Sequence, residues 1–156
     1  MPEPIKLTEE DFTNLVRQAD VSDRKRAALS LHDANYHGPR VLVNCIRKDS
    51  YVRPHMHPTT TGEIWVPLSG RIGVVLFDNK GKVEKTHVLE RGGLELIDIP
   101  GNTYHTAVAL DSHSIMFEVS QGPYDSENYK KFPDWSPAEG DAKSITYLEN
   151  LRELFR

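Results

Sequence analysis

His55 and His57 stand two residues apart in the stretch Tyr51–Gly70, YVRPHMHPTTTGEIWVPLSG. In a β-strand, side chains at i and i+2 project from the same face, so this spacing aims two imidazoles at one point. Glu63 follows after five intervening residues, and a third histidine, His105, lies downstream in IPGNTYHT, Ile99–Thr106. An isolated HxH pair is commonly structural, and an isolated glutamate is commonly solvated. Together, three imidazoles and one carboxylate form a common donor set for a transition metal. One divalent ion is therefore expected at His55, His57, Glu63 and His105. The donors suit Zn, Fe, Ni or Mn and do not choose among them.

If the alternation extends upstream, Tyr51 and Arg53 share the histidines' face and are the expected substrate-binding residues. Arg53 can clamp a carboxylate or phosphate bidentately; the plainer alternative is a salt bridge at a strand end. Tyr104 falls on the face opposite His105 and is assigned to packing. On the strand around it, His105 shares its face with Thr103, Ala107 and Ala109, whose small side chains leave room for a ligand. His32 and Asn35 are candidates to cover the site's mouth, with a structural hydrogen bond the plainer role for His32. His113 is not counted as a ligand.

Positioning these groups requires a sheet. From residue 40 the pattern is β-rich: Val41–Ile46, Tyr51–His57, Glu63–Leu68, Arg71–Phe77, Thr86–Glu90, Glu95–Ile99, Thr103–Leu110 and Ser114–Val119. Turn signals such as Ser69-Gly70, Asp78-Asn79-Lys80-Gly81 and Pro100-Gly101-Asn102 separate the runs. Many short strands at this spacing predict an all-β antiparallel sandwich or barrel. Before it, Thr8-x-x-Asp11 reads as a capping box, and Phe12, Leu15, Val16 and Ala19 recur at helical spacing, predicting a helix over 9–19. Ser22-Asp23 is expected to cap a second helix reaching about Leu31, with Arg24-Lys25-Arg26 on its solvated face. Gln121–Asp141 is rich in proline and aromatics and is expected to wrap the barrel or meet a partner subunit. Ser144 is expected to cap a final helix whose stripe is Ile145, Leu148, Leu151, Leu154 and Phe155.

The 156 residues fit a single domain, divided into a helical segment 1–39, a barrel 40–120 and a wrap with a closing helix 121–156. A net charge of −4 argues against a general affinity for nucleic acid. No apolar run is long enough to cross a membrane, and the first residues lack a secretory layout, so a cytoplasmic location is expected. Cys45, the only cysteine, sits in an apolar run and is read as a buried thiol.

The spacing resembles the two motifs of the cupin superfamily. The first is a glycine, five residues, His-x-His, three or four residues, Glu, six residues, Gly. Here Asp49 takes the first glycine position, one extra residue precedes Glu63, and Gly70 keeps its place. In the second motif Pro100 and His105 keep their spacing, Asn102 stands at the second glycine position, and Ala109 replaces the final Asn. The extra residue can be absorbed in Thr59–Gly62, through the freedom of Gly62, and Asn102 tolerates the left-handed turn. More narrowly, SYVRPHMHP, SGRIGVVLFD, GPYD at Gly122–Asp125 and WSPAEGD at Trp135–Asp141 resemble the WbuC-type cupin metalloproteins, as does a basic helix before Leu31-His32. The resemblance implies a jelly-roll barrel with short N-terminal helices and a C-terminal helix, a bound metal, and an association with surface-polysaccharide biosynthesis. It implies no particular reaction.

Three functions fit these residues. A metal with an open position can serve an isomerase or a dioxygenase acting on a small polar molecule such as a sugar or carboxylate. The same centre can serve a non-catalytic binding or sensing module. A metal-free sugar epimerase of the same fold ranks last, because it needs a His–Asp pair rather than this donor set. No general acid or base outside the donors stands out in the sequence. The aromatic segment after residue 120 suggests a homodimer.

Overall fold

The computed structural model describes residues 3–32, 36, 38–121 and 129–156. Its elements are α1 (Glu9–Val21), β1 (Arg26–Ser30), β2 (Arg40–Arg47), β3 (Glu63–Ser69), β4 (Ile72–Phe77), β5 (Val83–Leu89), β6 (Ile97–Ile99), β7 (Tyr104–Ala109), β8 (His113–Ser120) and α2 (Lys143–Glu153). The strands form two antiparallel sheets, in the orders β1-β2-β8-β3-β6 and β5-β4-β7.

Strand alternation sorts the side chains into three apolar layers. Between the sheets lie Ile46, Trp65, Ile72, Val74, Leu89, Ile99, Ala107, Ala109 and Met116. The opposite faces are also covered. Val43, Cys45 and Ile115 pack under Leu15 and Ala19 of α1, and Val75, Phe77, Tyr104 and Val108 pack under Leu148 and Leu151 of α2. A helix over each sheet explains why β7 is buried at every position rather than alternately. Among the described residues no helix is long and apolar enough to cross a membrane.

The expected capping box is present: Thr8 and Asp11 exchange backbone and side-chain bonds at the start of α1. The second N-terminal helix is not. Ser22 closes α1 by donating its N–H to Gln18, and Lys25 then takes a left-handed φ of 56°. This turns the chain into β1, which pairs with β2 from Arg26↔Ile46 to Ser30↔Leu42. Sheet pairing overrides local helix propensity here. The basic run is correspondingly not a free solvated face, since Arg24 and Arg26 both hold Glu139.

Tyr51–His57 is not a regular strand either. Pro54 cannot donate to a ladder, and only His55 and Met56 form bridges, to His105 and Lys131. At the other end Ser144 does not cap α2: the N-cap is Ala142, without a side-chain cap bond, Asp141 just before it accepts from the Lys143 N–H at 2.9 Å, and Ser144 is buried. Leu148 and Leu151 carry the stripe, whereas Ile145 is 66% exposed. Cys45 is buried as expected, and burial pushes its thiol up to about 11. Asn35 and the Gly122–Asp125 stretch fall outside the described residues.

Candidate metal centre

Two backbone connections deliver the histidines. His55 and His105 exchange both N–H···O bonds, at 3.0 and 2.9 Å, which docks the HxH segment on the edge of β7. The Asn102 N–H donates to the His57 carbonyl at 2.8 Å from a left-handed residue (φ 62°). Gly101 comes so close to the His57 loop that a Cβ would lie 2.2 Å from the Pro58 oxygen. Only glycine fits that approach, which accounts for Gly and Asn standing in this order. The extra residue before Glu63 is absorbed by a turn in which Thr61 N–H donates to Pro58 at 2.8 Å. Gly62 takes no left-handed conformation; it sits against the Ile99 carbonyl, 3.2 Å from where a Cβ would be.

Glu63 opens β3 between Ile99 of β6 and Ser120 of β8. The structure thus brings together His55, His57, Glu63 and His105, all buried, with one donor atom from each within 4.8 Å of the others. Each imidazole is oriented by its Nδ1. His55 Nδ1 faces the Arg53 carbonyl at 2.9 Å, His105 Nδ1 the Thr103 carbonyl at 2.9 Å, and His57 Nδ1 the Tyr129 carbonyl at 2.6 Å. A carbonyl only accepts, so each Nδ1 carries a proton and each Nε2 is the atom turned toward the cluster.

Two of the Nε2 atoms meet the carboxylate. Glu63 Oε1 is 2.9 Å from His57 Nε2, and Oε2 is 3.2 Å from His105 Nε2. An imidazole that is neutral and donates from Nδ1 turns a lone pair toward Glu63, and a cation between them would satisfy both. His57 Nε2, despite its closeness to Glu63, has no hydrogen-bond partner of proper angle. Buried and with its donors converging, the set fits a divalent transition metal. Burial, followed by the charges of Lys130 and His105, holds His55 well below the usual histidine range, which keeps it neutral. Burial pushes Glu63 up, but its contacts with His105 and His57 outweigh this and hold it well below the usual carboxylate range.

The two expected substrate residues part company. Tyr51 turns away from the cluster into the layer under α2, edge-on to Tyr147, and donates its hydroxyl to Pro137 at 3.0 Å. Arg53 borders the cavity beside the cluster, but its Nε and Nη2 donate to Ser136 Oγ (3.1 Å), Pro133 O (2.9 Å) and Ser136 O (3.2 Å), and it lies over Phe132. These bonds strap the 133–136 segment to the HxH stretch, and among the described residues Arg53 forms no salt bridge. Tyr104 packs against Trp135, His113 pairs with Asp20 at 2.8 Å, and His32 stacks on Tyr36.

A cavity of about 310 Å³ reaches His55 and Glu63 along the inner face of the larger sheet. Its lining adds residues that sequence reasoning missed. Glu118 projects inward from β8, and its Oε2 accepts from Asn44 Nδ2 at 2.9 Å. Burial, then the charge of Glu63, pushes it up to about 8. Tyr129 donates to Glu63 Oε1 at 3.3 Å and shares a 2.7 Å bond with Ser120; burial raises it to about 12. Lys130, an exposed residue, lines the cavity, and desolvation there pulls its pKa down. Alternation in β8 carried a signal for Glu118: Ser114, Met116, Glu118 and Ser120 share the face turned toward Trp65 and Leu42. Nothing in the sequence near Tyr129 or Lys130 signals their approach.

Solved structures share this architecture. The capsular polysaccharide assembling protein CapF from Staphylococcus aureus superposes with a TM-score of 0.61 at 20% identity, over 72% of this chain and 33% of CapF. An oxalate oxidase in complex with the substrate analogue glycolate gives 0.56 at 16% identity, over 86% and 74%. A mutant of Bacillus subtilis oxalate decarboxylase OxdC gives 0.54 at 17%, over 69% and 27%. The chain thus spans a third of the length of CapF. No curated protein matches it. The fold is the cupin jelly roll. Residues 7–89 match the family described as Domain of unknown function (DUF6016), over half of the chain, and the protein belongs to that family. The match takes in His55, His57 and Glu63 and stops short of His105.

Proposed function

We propose that the protein is a metal-dependent cupin enzyme that acts on a small polar molecule, a sugar or carboxylate, held in the cavity beside His55, His57, Glu63 and His105. The observation that carries this reading is the geometry of the cluster: every Nδ1 is committed to a backbone carbonyl, and two Nε2 atoms face one carboxylate. A divalent metal held there supplies a Lewis acid with room for a substrate oxygen. The chain's own residues do the rest. Trp65, Ala107 and Met116 wall the site against water. Asn44 fixes the Glu118 carboxyl, which is protonated at neutral pH and placed to give a proton to a substrate atom, or to take one back once ionised. Tyr129 holds Glu63 in place through its hydroxyl. A carboxyl tuned near neutrality beside the donor set favours proton-transfer chemistry, such as isomerisation, over a purely binding module.

The WbuC-type motifs extend the reading to surface-polysaccharide biosynthesis, and the likeness to a capsular polysaccharide assembling protein supports it. The free buried thiol of Cys45 is in keeping with a reducing, cytoplasmic compartment. Phe132, 44% accessible in the aromatic segment after residue 120, is a candidate contact of a homodimer. An open metal position is tested with the Co²⁺-loaded protein. Azide should shift the visible absorption bands of bound Co²⁺, and the shift should be absent in His105→Ala. Bands that azide leaves unchanged would mean a closed, structural site.

A further inference from the structure

The cavity is more basic than the molecule around it. Arg24, Arg26, Arg40, Arg53 and Lys130 line it against Glu63, Glu118 and Glu139, in a chain of net charge −4. Most of these cations are engaged. Arg24 and Arg26 hold Glu139, Arg53 holds the 133–136 backbone, and the Arg40 guanidinium lies 5.1 Å from the centre of the Tyr129 ring. Lys130 differs. Its amine makes no hydrogen bond or ion pair among the described residues, although it senses Glu63 and Glu118 across the cavity. An ammonium lining the cavity with no partner among the described residues is open to a charge-assisted bond from a carboxylate or phosphate oxygen. Leu42, Ile46, Val52 and Met116 offer a ligand's carbon skeleton an apolar wall. The volume, about 310 Å³, is at the low end for small-molecule sites and sets a small ligand.

We infer that this cavity takes a small acid whose carboxylate or phosphate group sits on Lys130, with Arg40 on the same wall, and whose other polar end points to His55 and Glu63. The inference rests on the metal-centre reading for the far end of the ligand only. Lys130 is then a specificity residue: it selects anions over neutral sugars of equal size.

Calorimetric titration of the purified protein with malonate, inorganic phosphate and glucose tests this, using wild type, Lys130→Met and Lys130→Arg. One of the two anions should bind at least tenfold more tightly than glucose, and the tighter one identifies the acid group. Lys130→Met should weaken that anion tenfold or more, and Lys130→Arg should restore most of it, with the metal content of both variants equal to wild type. Glucose binding as well as either anion, or Lys130→Met binding the anion like wild type, would overturn the inference. Lys130-dependent anion binding by a wild type that holds no metal would uphold the anion site while removing the metal reading, so the two failures are distinguishable.

Discussion

Stripping the metal with a chelator at pH 7.5 is expected to lower the melting temperature by about 10 °C. Four buried polar side chains converge here, with the Glu63 carboxylate set between two of the imidazoles. A ligand held at about a thousand times its Kd stabilises the folded state by about 4 kcal/mol. For a chain of this length each kcal/mol moves the melting temperature by about 2–4 °C. The increment should depend on pH in one direction. Ligation requires neutral imidazole, so stabilisation by metal is full above about pH 7 and shrinks as pH falls through about 6.5. His55, held down by burial, keeps its lone pair to lower pH than a free histidine. Differential scanning calorimetry with and without chelator at pH 7.5 and 5.5 reads both effects. Equal melting temperatures with and without chelator at pH 7.5 would rule out a stabilising metal.

The second large effect concerns Glu118, whose folded pKa is raised to about 8. Between the ordinary glutamate pKa and about 8, the folded protein holds a proton that the unfolded chain has released. Stability therefore falls as pH rises through that window. Glu118→Gln keeps the acceptor for Asn44 and removes the ionisable group, so it should remove this part of the slope. At pH 8 the variant should be more stable than wild type by an amount on the order of 3 kcal/mol, with little difference at pH 5. Urea unfolding of both proteins in chelator, so that metal loss adds nothing, measures the difference between them. Parallel stability–pH curves for the two would show that Glu118 is not strained by its site.

Much of the barrel was legible because its strands alternate around loops rich in turn residues, and every run from β2 to β8 except Tyr51–His57 became a strand. That exception follows from Pro54, which limits the ladder to two bridged residues. The donor set was legible because it resides in two short motifs, and the irregular spacing before Glu63 made it look weaker than its geometry. A turn at Pro58–Thr61 restores the carboxylate to the cluster. What local pattern could not give were contacts set by long-range pairing. β1 is a strand only because β2 lies beside it. Arg53 is occupied by a segment some eighty residues away. Tyr51 follows the outer layer because its segment is not a continuous strand. Lys130 and Tyr129 reach the cavity from an irregular stretch with no period to read.

The most direct test of the metal centre is elemental analysis of the purified wild type beside His57→Ala, His105→Ala and Glu63→Ala. The wild type should carry about one transition metal ion per chain. Both histidine variants should retain less than about a tenth of it, and Glu63→Ala should lose metal to a similar extent because its carboxylate joins two of the imidazoles. Histidine variants that keep the full wild-type metal content would place the ion elsewhere and contradict the account.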